Sequence, residues 1–425
     1  MRLGACVIAV VAFACLPFIA SPVSLGLATQ ILIASLFACA FNLLSGHAGL
    51  LSFGHAAYFG VGSFAVIHAM NAFEGSGLLP TPLLPLVGAA AGLAFGVAAG
   101  YFATMRAGLH FSMITLALAE LLHSLAPQIK QLFGGEAGIS AMRAKAWGIT
   151  FGSATEVYFL VGAWVVVSLV ILYWVSVTQL GLLAAGLREN AQRLRFLGYS
   201  PHRLKWTVFA ISSMFSGIAG GLQALNVEAA NYAIFDIKLS TDVVLFAYLG
   251  GASTFFGPIL GAALLTTLGR ALADMTRSWL LYQGILFVLI MLVTPRGLIG
   301  LAADAIRSVR RRGWWGWLRP AVVSILASTL LLAGVVFVVE LGQRVLSREY
   351  RGLRMLNPSA GPPAIQLFGF DWRPNAVETW LLPAVLVVVG FACLSLAKRM
   401  WHFEDSPSPD ARQQREAAPA AGATT

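Results

Sequence analysis

Charged side chains are scarce in this sequence. Asp, Glu, Lys and Arg make up 11% of its 425 residues, whereas apolar side chains make up 58%, and the mean hydropathy is +0.79. A water-soluble domain could not bury this much apolar surface. The composition therefore excludes a soluble protein and indicates a chain that folds in lipid.

Nucleotide-binding and catalytic motifs are also missing. None of the five Lys residues follows a Gly, so the sequence has no GxxxxGK[ST] phosphate-binding loop. It also has no HExxH, no GxSxG and no paired cytoplasmic carboxylates. The sequence therefore predicts a protein that is not an enzyme and does not hydrolyse ATP by that route.

Cysteines are few and isolated. Cys6, Cys15, Cys39 and Cys393 all lie in apolar segments, with no CxxC pair and no Cys/His pair at metal-ligand spacing. We interpret them as inert membrane thiols. The sequence predicts no metal site and no cofactor.

Long apolar windows fill most of the chain. A membrane-spanning helix needs roughly 20 mostly apolar residues, and such windows lie near residues 3–20, 25–44, 55–70, 83–104, 109–126, 157–177, 206–225, 243–268, 279–294, 321–339 and 380–397. The first is interpreted as a retained span, because Phe18 and Ile19 before Ala20 make a poor signal-peptide cleavage site. The predicted fold class is all-α: a polytopic membrane helix bundle of about 8–11 transmembrane segments, with glycine-broken or re-entrant elements.

Basic residues indicate the orientation. The net charge of +10 is concentrated in short loops, which is typical of the cytoplasmic side of a membrane protein rather than of a nucleic-acid-binding one. Loop 178–205 holds five basic residues against Glu189 alone. It is therefore predicted to be cytoplasmic, with segment 127–156 outside and both termini inside.

One apolar window conflicts with this orientation if it crosses the membrane. The basic stretch 307–312 would lie outside if 206–225, 243–268 and 279–294 were three simple spans. Window 243–268 is interrupted by glycines, and broken backbone at membrane depth is tolerated where it is buried in protein or lines a polar cavity. We therefore predict a re-entrant pair of half-helices there.

The predicted domain organisation follows from these spans. Residues 1–306 form a first transmembrane domain. Residues 307–400 form an extension with two extra spans around an external loop. Residues 401–425, which are rich in Pro and Ala, form a disordered cytoplasmic tail.

The segment from Asn42 to Phe64 is rich in glycine. Five glycines (46, 49, 54, 60 and 62) interrupt an apolar stretch. They either allow close helix packing or break a helix whose polar groups face a translocation path. The predicted path residues in this segment are Asn42, Gly46, Ser52, Gly54 and His55.

A second glycine-rich break lies in the other half of the chain, at 249–262. Transporters often pair such interruptions on either side of the substrate route, so Gly250, Gly251, Gly257 and Pro258 are also predicted to line the path. The two halves of the chain share no detectable residue-level identity. An internal repeat is therefore inferred only from the matching positions of the two breaks.

Two further path candidates lie within window 109–126, namely Thr115 and Glu120. A carboxylate inside a membrane is costly and is a functional candidate by default. The other interpretation of Glu120 is a neutral or paired residue that holds two helices together.

The cytoplasmic segment 181–213 reads as a short helix, a turn at Gly198 and the start of the next span. It is either an ordinary basic loop that lies at the lipid headgroups or a coupling helix that docks into a separate ATPase. In the second case Arg188, Glu189 and Asn190 would be exposed, and Arg195 would contribute.

Several segments together resemble a known family. They are FNLLSGHAGLLSFGHAAYFGVGSF at 41–64, GLHFSMITLALAELLH at 108–123 with GGEAGIS at 134–140, and GLRENAQRLRFLGYSPHRLKWTVFAISS from 186 with LGGASTFFGPILGA and PRGLIGL. In this order and spacing they resemble the inner-membrane permeases of branched-chain amino acid importers of the ATP-binding-cassette (ABC) type, specifically the M-type subunit. The match covers about residues 25–301.

The resemblance implies a heterodimer with an H-type permease, two cytoplasmic ABC ATPase subunits and an external solute-binding protein in a bacterial inner membrane. It implies that Arg188, Glu189, Asn190, Arg195 and Gly198 belong to the ATPase-coupling loop. The external loop residues Gly134, Gly135, Glu136 and Gly138 would meet the binding protein.

Residues 308–425 and Ala191 depart from the family pattern. Urea or short amides are alternative substrates, and an autonomous channel or ion-coupled carrier is the alternative class.

Overall fold

The computed structural model describes residues 13, 16–73, 79–276, 278–293, 296–356, 363–367 and 370–404. Most of the predicted first span, 3–20, lies outside these residues, as do Cys6 and Cys15. Residues 401–404 continue the last helix, and the rest of the predicted tail lies outside the described residues.

The chain divides into two compact units, Met1–Leu301 and Ala302–Thr425. The helices and strands of the first are α1 (Pro22–Asn42), a π-helical turn (Leu43–His47), α2 (His55–Ala72), a 3-10 turn (Thr81–Leu83), α3 (Pro85–Ala103), α4 (Leu109–Leu125), α5 (Lys130–Phe133), β1 (Ile139–Ser140), α6 (Ala154–Val177), α7 (Gln179–Phe196), α8 (Pro201–Val227), β2 (Ala229–Ala230), a 3-10 turn (Tyr232–Phe235), α9 (Ile237–Gly250), α10 (Gly257–Met275) and α11 (Trp279–Val293). Strands β1 and β2 pair antiparallel.

Helix α12 (Gly297–Leu346) begins just before the second unit and has one non-helical residue, Gly313. It is followed by α13 (Arg348–Leu356), the antiparallel strands β3 (Ile365–Leu367) and β4 (Phe370–Trp372), and α14 (Val377–Glu404). The predicted external loop 341–379 therefore contains regular structure. The basic residues 307–311 lie in α12.

The predicted fold class, an all-α polytopic bundle, is confirmed. Within the described residues, six helices are long and apolar enough to cross a membrane: Pro22–His47, Thr81–Ala103, Ala154–Val177, Pro201–Val227, Gly313–Leu346 and Val377–Leu396. Two shorter apolar helices are Leu109–Leu125 and Trp279–Val288. The division at 306/307 into a permease domain and an extension stays a prediction.

Small residues allow α3 and α8 to pack closely. Gly88, Gly92, Gly96 and Gly100 form a stripe on α3, because residues four apart share a helix face. A Cβ atom on any of them would meet α8, at Gly217, Ser213 or Phe209. Helices in lipid associate through such close backbone contacts rather than through a hydrophobic driving force. This packing places α8 at the centre of the first unit.

The chain breaks where the second glycine-rich segment predicts a break. Helix α9 ends at Gly250 and α10 begins at Gly257. At about 1.5 Å per residue, the 14 residues of α9 are too short for a hydrocarbon core of about 30 Å. This length supports the predicted re-entrant pair, whose placement in the membrane stays a prediction.

Candidate functional site

The two glycine-rich breaks contact each other. The Asn42 side-chain amide donates to the carbonyl oxygen of Thr254 at 3.3 Å. The Cys39 thiol lies 3.7 Å from the carbonyl oxygen of Phe255, and the hydroxyl groups of Ser45 and Tyr248 are 3.1 Å apart. Segments about 210 residues apart in sequence therefore form one polar contact at the end of α1.

Glycine makes this approach possible. A Cβ atom at Gly46 would overlap the carbonyl oxygen of Ala252, and one at Gly250 would overlap the backbone of Gly257. Gly251 has a φ of +117°, which side chains rarely allow, and Pro258 occupies the first turn of α10. A larger residue at 46 would push the two breaks apart, and one at 250 would push apart the adjoining ends of α9 and α10.

The remaining glycines of the first segment divide between its two interpretations. Gly60 and Gly62 lie in α2, where Phe235 and Gly217 leave no room for a Cβ atom. They therefore serve helix packing. Gly54 lies in the break itself, against the backbone of Thr115 on α4.

The polar side chains predicted to face the path are buried in protein. Asn42 is 1% exposed, and Ser52, His55 and Thr115 are fully buried. Nε2 of His55 shares a hydrogen bond with the Ser212 hydroxyl at 2.8 Å. No partner among the described residues reaches Oδ1 of Asn42, Oγ of Ser52 or Nδ1 of His55. Their assignment to the path stays a prediction.

Glu120 is half-buried on α4 and has no hydrogen bond or ion pair with the part of the chain that the structure describes. The paired interpretation therefore finds no partner there. Asp242 on α9 is a second half-buried acid. Asp242 was not among the predicted path residues because it stands immediately before the apolar window that begins at 243.

The cytoplasmic segment has the predicted helix–turn–helix form. Helix α7 is kinked at Asn190, whose Oδ1 accepts hydrogen bonds from the backbone N–H groups of Gln192 and Arg193. Gly198, with a φ of +87°, makes the turn into α8. Glu189, Asn190 and Arg195 are exposed, and the side chains of Glu189 and Arg195 are accessible to a partner.

Arg188 connects this segment to the first glycine-rich break. Its guanidinium Nη1 donates to the carbonyl oxygen of Gly46 at 2.7 Å, a short, charge-assisted bond. The aliphatic part of the same side chain lies beside Gly49, where a Cβ atom would be 3.0 Å away. Arg188 is exposed, as expected for a coupling helix, but the contact with Gly46 was not predicted from the sequence.

The loop at 134–140 is held against the end of α8. Strand β1 follows Gly138 and pairs with β2, while Arg143 forms an ion pair with Glu228 at 3.2 Å and donates to the carbonyl oxygen of Leu225. Gly134, Gly135 and Gly138 all have positive φ angles. Glu136 lies exposed at the tip. A role in contacting another protein stays a prediction.

A cavity of about 290 Å³, which the sequence did not predict, lies between α1, α2, α8 and α9. Its polar lining residues are Gln30, Gln223 and Asn231. Gln30 and Gln223 interrupt the apolar windows 25–44 and 206–225, which is the signal that could have identified them. Among the described residues, no group of three or more His, Cys, Asp or Glu lies together as a metal site requires.

Comparisons with known proteins identify relatives of this chain. The chain is 28% identical over 317 residues to the high-affinity branched-chain amino acid transport system permease protein LivM of Salmonella typhimurium, a match that covers 68% of this chain and 73% of the relative. The protein of the same name from Escherichia coli K12 matches over the same shares at 28% identity. No solved structure matches.

The family profile described as branched-chain amino acid transport system / permease component matches residues 23–295. This range holds both glycine-rich breaks, the cytoplasmic segment and the cavity, and it ends before the second unit. The chain therefore belongs to the family of permease components of branched-chain amino acid transport systems.

Proposed function

We propose that this chain works as one half of the membrane channel of an ABC importer, with a related H-type permease as the other half. Two cytoplasmic ABC ATPase subunits hydrolyse the ATP, and an external binding protein delivers the branched-chain amino acid. The chain lies in the bacterial inner membrane with both termini in the cytoplasm.

The bond from Arg188 to Gly46 carries this proposal. A coupling helix must transmit movement of an ATPase to the membrane segment that opens and closes. Arg188 lies on α7 beside the exposed residues Glu189 and Asn190. Its partner Gly46 lies in the π-helical turn at the end of α1, directly before the non-helical residues 48–54. Movement of α7 therefore reaches the broken backbone directly.

The contact between the two breaks extends this effect. Since Asn42 donates to Thr254, displacement of the first break also displaces the second. Small shifts at an effector site are amplified because packed interfaces switch between discrete arrangements. The two breaks would thus rearrange together when the ATPases close, which exposes the path alternately to each side.

Reconstitution in liposomes tests the proposal. The chain with its partner permease, ATPases and binding protein should import leucine when ATP is supplied, and a complex with a hydrolysis-deficient ATPase should not. The chain alone should carry no leucine. Leucine flux through the chain alone would instead establish an autonomous channel or carrier, and ATP-driven uptake of urea without leucine would establish an amide importer.

Labelling from each side tests the orientation. Glu136→Cys and Glu189→Cys place thiols at two exposed positions. An impermeant thiol reagent added to intact cells should label the first and not the second. Labelling of Glu189→Cys in intact cells would show that the orientation is the reverse of the proposed one.

A further inference from the structure

The cavity between α1, α2, α8 and α9 has an apolar wall. Its large side chains include Ile33, Phe37, Phe59, Leu239 and Phe246. Its volume of about 290 Å³ lies at the lower end of small-molecule pockets. The wall therefore suits a small ligand with a branched aliphatic side chain.

The polar part of the lining consists of amides. Gln30, Gln223 and Asn231 contribute it, and no Asp, Glu, Lys, Arg or His is among the described residues that line the cavity. None of the three side chains forms a hydrogen bond with described residues, and Oε1 of Gln223 is buried without a partner. A buried oxygen without a donor is unfavourable, so this site lacks a hydrogen-bond donor that a ligand can supply.

A zwitterionic amino acid supplies the complementary groups. Its ammonium group donates to Oε1 of Gln223, and its carboxylate accepts from the N–H₂ groups of Gln30 and Asn231. Neutral amides satisfy both charges without the tight binding that a buried counter-charge would give. Such weak binding suits a compartment that a substrate must leave.

The cavity opens beside the predicted binding-protein contact. Asn231 directly follows β2, which pairs with β1 of the loop at 134–140, and Asn231 and Ala233 are both exposed. In the orientation predicted from the basic loops, this is the external end of α8. A substrate released at the loop would therefore meet Asn231 first.

We infer that this cavity is the compartment that receives the branched-chain amino acid from outside, with Gln223 as the acceptor for its ammonium group. The inference rests on the proposed function and goes beyond it by naming the site. The substrate waits there until the glycine-rich breaks rearrange.

Filling the cavity tests the inference in the complete reconstituted transporter. Ala34→Phe places a ring in the cavity, whereas Val23→Phe is a control on the same helix at a position that is 69% exposed. Ala34→Phe should lower leucine uptake at least tenfold while ATP hydrolysis stimulated by the loaded binding protein continues. Val23→Phe should transport normally. Normal uptake by Ala34→Phe, with the unaltered complex active, would overturn the inference and leave the proposed function intact.

Removing the acceptor is the second test. Gln223→Met keeps the length of the side chain and removes its oxygen, so kcat/KM for leucine should fall by about tenfold, the effect of one lost buried hydrogen bond. An unchanged kcat/KM would contradict the assignment of Gln223. If the unaltered complex itself imports no branched-chain amino acid, the proposed function fails instead.

Direct occupancy is measured by thiol protection. In a complete transporter whose chain has all four cysteines replaced by alanine, Ala34→Cys should react with a small impermeant thiol reagent added outside. Millimolar leucine should slow this reaction several-fold, and glutamate should not. A thiol that does not react at all would show that the partner permease fills the cavity, and a reaction that leucine does not slow would show that the cavity is not the substrate site. Either result would overturn the inference.

Discussion

The two units of this chain use apolar helices in different ways. In the span Pro201–Val227 of the first unit, 83% of the most apolar 18-residue stretch is buried in protein. In Gly313–Leu346 of the second unit the share is 17%, although this span is the more apolar of the two. The buried helix carries Ser212, Ser213, Ser216 and Gly217, which let neighbouring backbones approach. In lipid, small residues rather than apolar ones decide which helices pack.

The largest effect should come from a side chain at the point where three helices meet. Gly217 faces Gly62, Gly88 and Gly92, so Gly217→Val would force α2 and α3 away from α8. We expect a loss of about 3 kcal/mol or more of stability, seen as little monodisperse protein in detergent. Gly342→Val is the control, because nothing lies within 4 Å of that position. Equal yields of both variants would show that the two units do not differ in how much they depend on close helix packing.

Loss of the Arg188 bond should have the next largest effect, on function rather than folding. Arg188→Met keeps an aliphatic chain beside Gly49 but cannot donate to Gly46. A hydrogen bond from a charged group contributes about 1.5–3 kcal/mol, so ATP-driven leucine uptake should fall by roughly tenfold or more. Arg203→Met, at an exposed position nearby, should transport normally. Normal uptake by Arg188→Met would refute the coupling role.

A smaller effect is expected on the external side. Arg143→Met removes the ion pair with Glu228 and loosens the loop at 134–140 without entering the cavity. We expect the concentration of loaded binding protein needed for half-maximal uptake to rise a few-fold, with kcat unchanged. Lys145→Met, two residues away and exposed, should leave it unaltered. A similar change in both variants would point to surface charge rather than loop geometry.

The smallest effect is expected in the second unit. Ile325 is 66% exposed, whereas Leu222 in α8 is fully buried. Leu222→Ala should cost about 2–5 kcal/mol, and Ile325→Ala less than about 0.5 kcal/mol, measured by thermal unfolding in detergent. Equal shifts in Tm would mean that Ile325 is covered by protein in the assembled transporter. The two units would then differ in whether their helices are buried by the same chain or by partner chains.

Local signals predicted the helices and their interruptions well. Apolar windows identified α1, α6 and α8, and glycine clusters identified both breaks, because helix length and backbone freedom depend on neighbouring residues. The helix–turn–helix at 181–213 was predicted for the same reason. The basic residues 307–311 lie in α12, whose helical geometry is interrupted at Gly313.

Contacts between distant segments could not be predicted in this way. His55 was a path candidate by its position in a glycine-rich segment, yet its Nε2 is engaged by Ser212 from α8, 157 residues away. Gln223 attracted no attention as one polar residue in an apolar window. Its significance depends on which other helices surround it.

The sequence by itself determined that this protein is a helical membrane protein of a recognisable permease type, since composition, loop charge and motif order are properties of the chain alone. Only the tertiary structure decided that the two breaks touch, that Arg188 bonds to Gly46, and that three amides surround one cavity. The physical reason is that helix packing in lipid depends on the close fit of small residues, which brings together side chains that no periodicity relates.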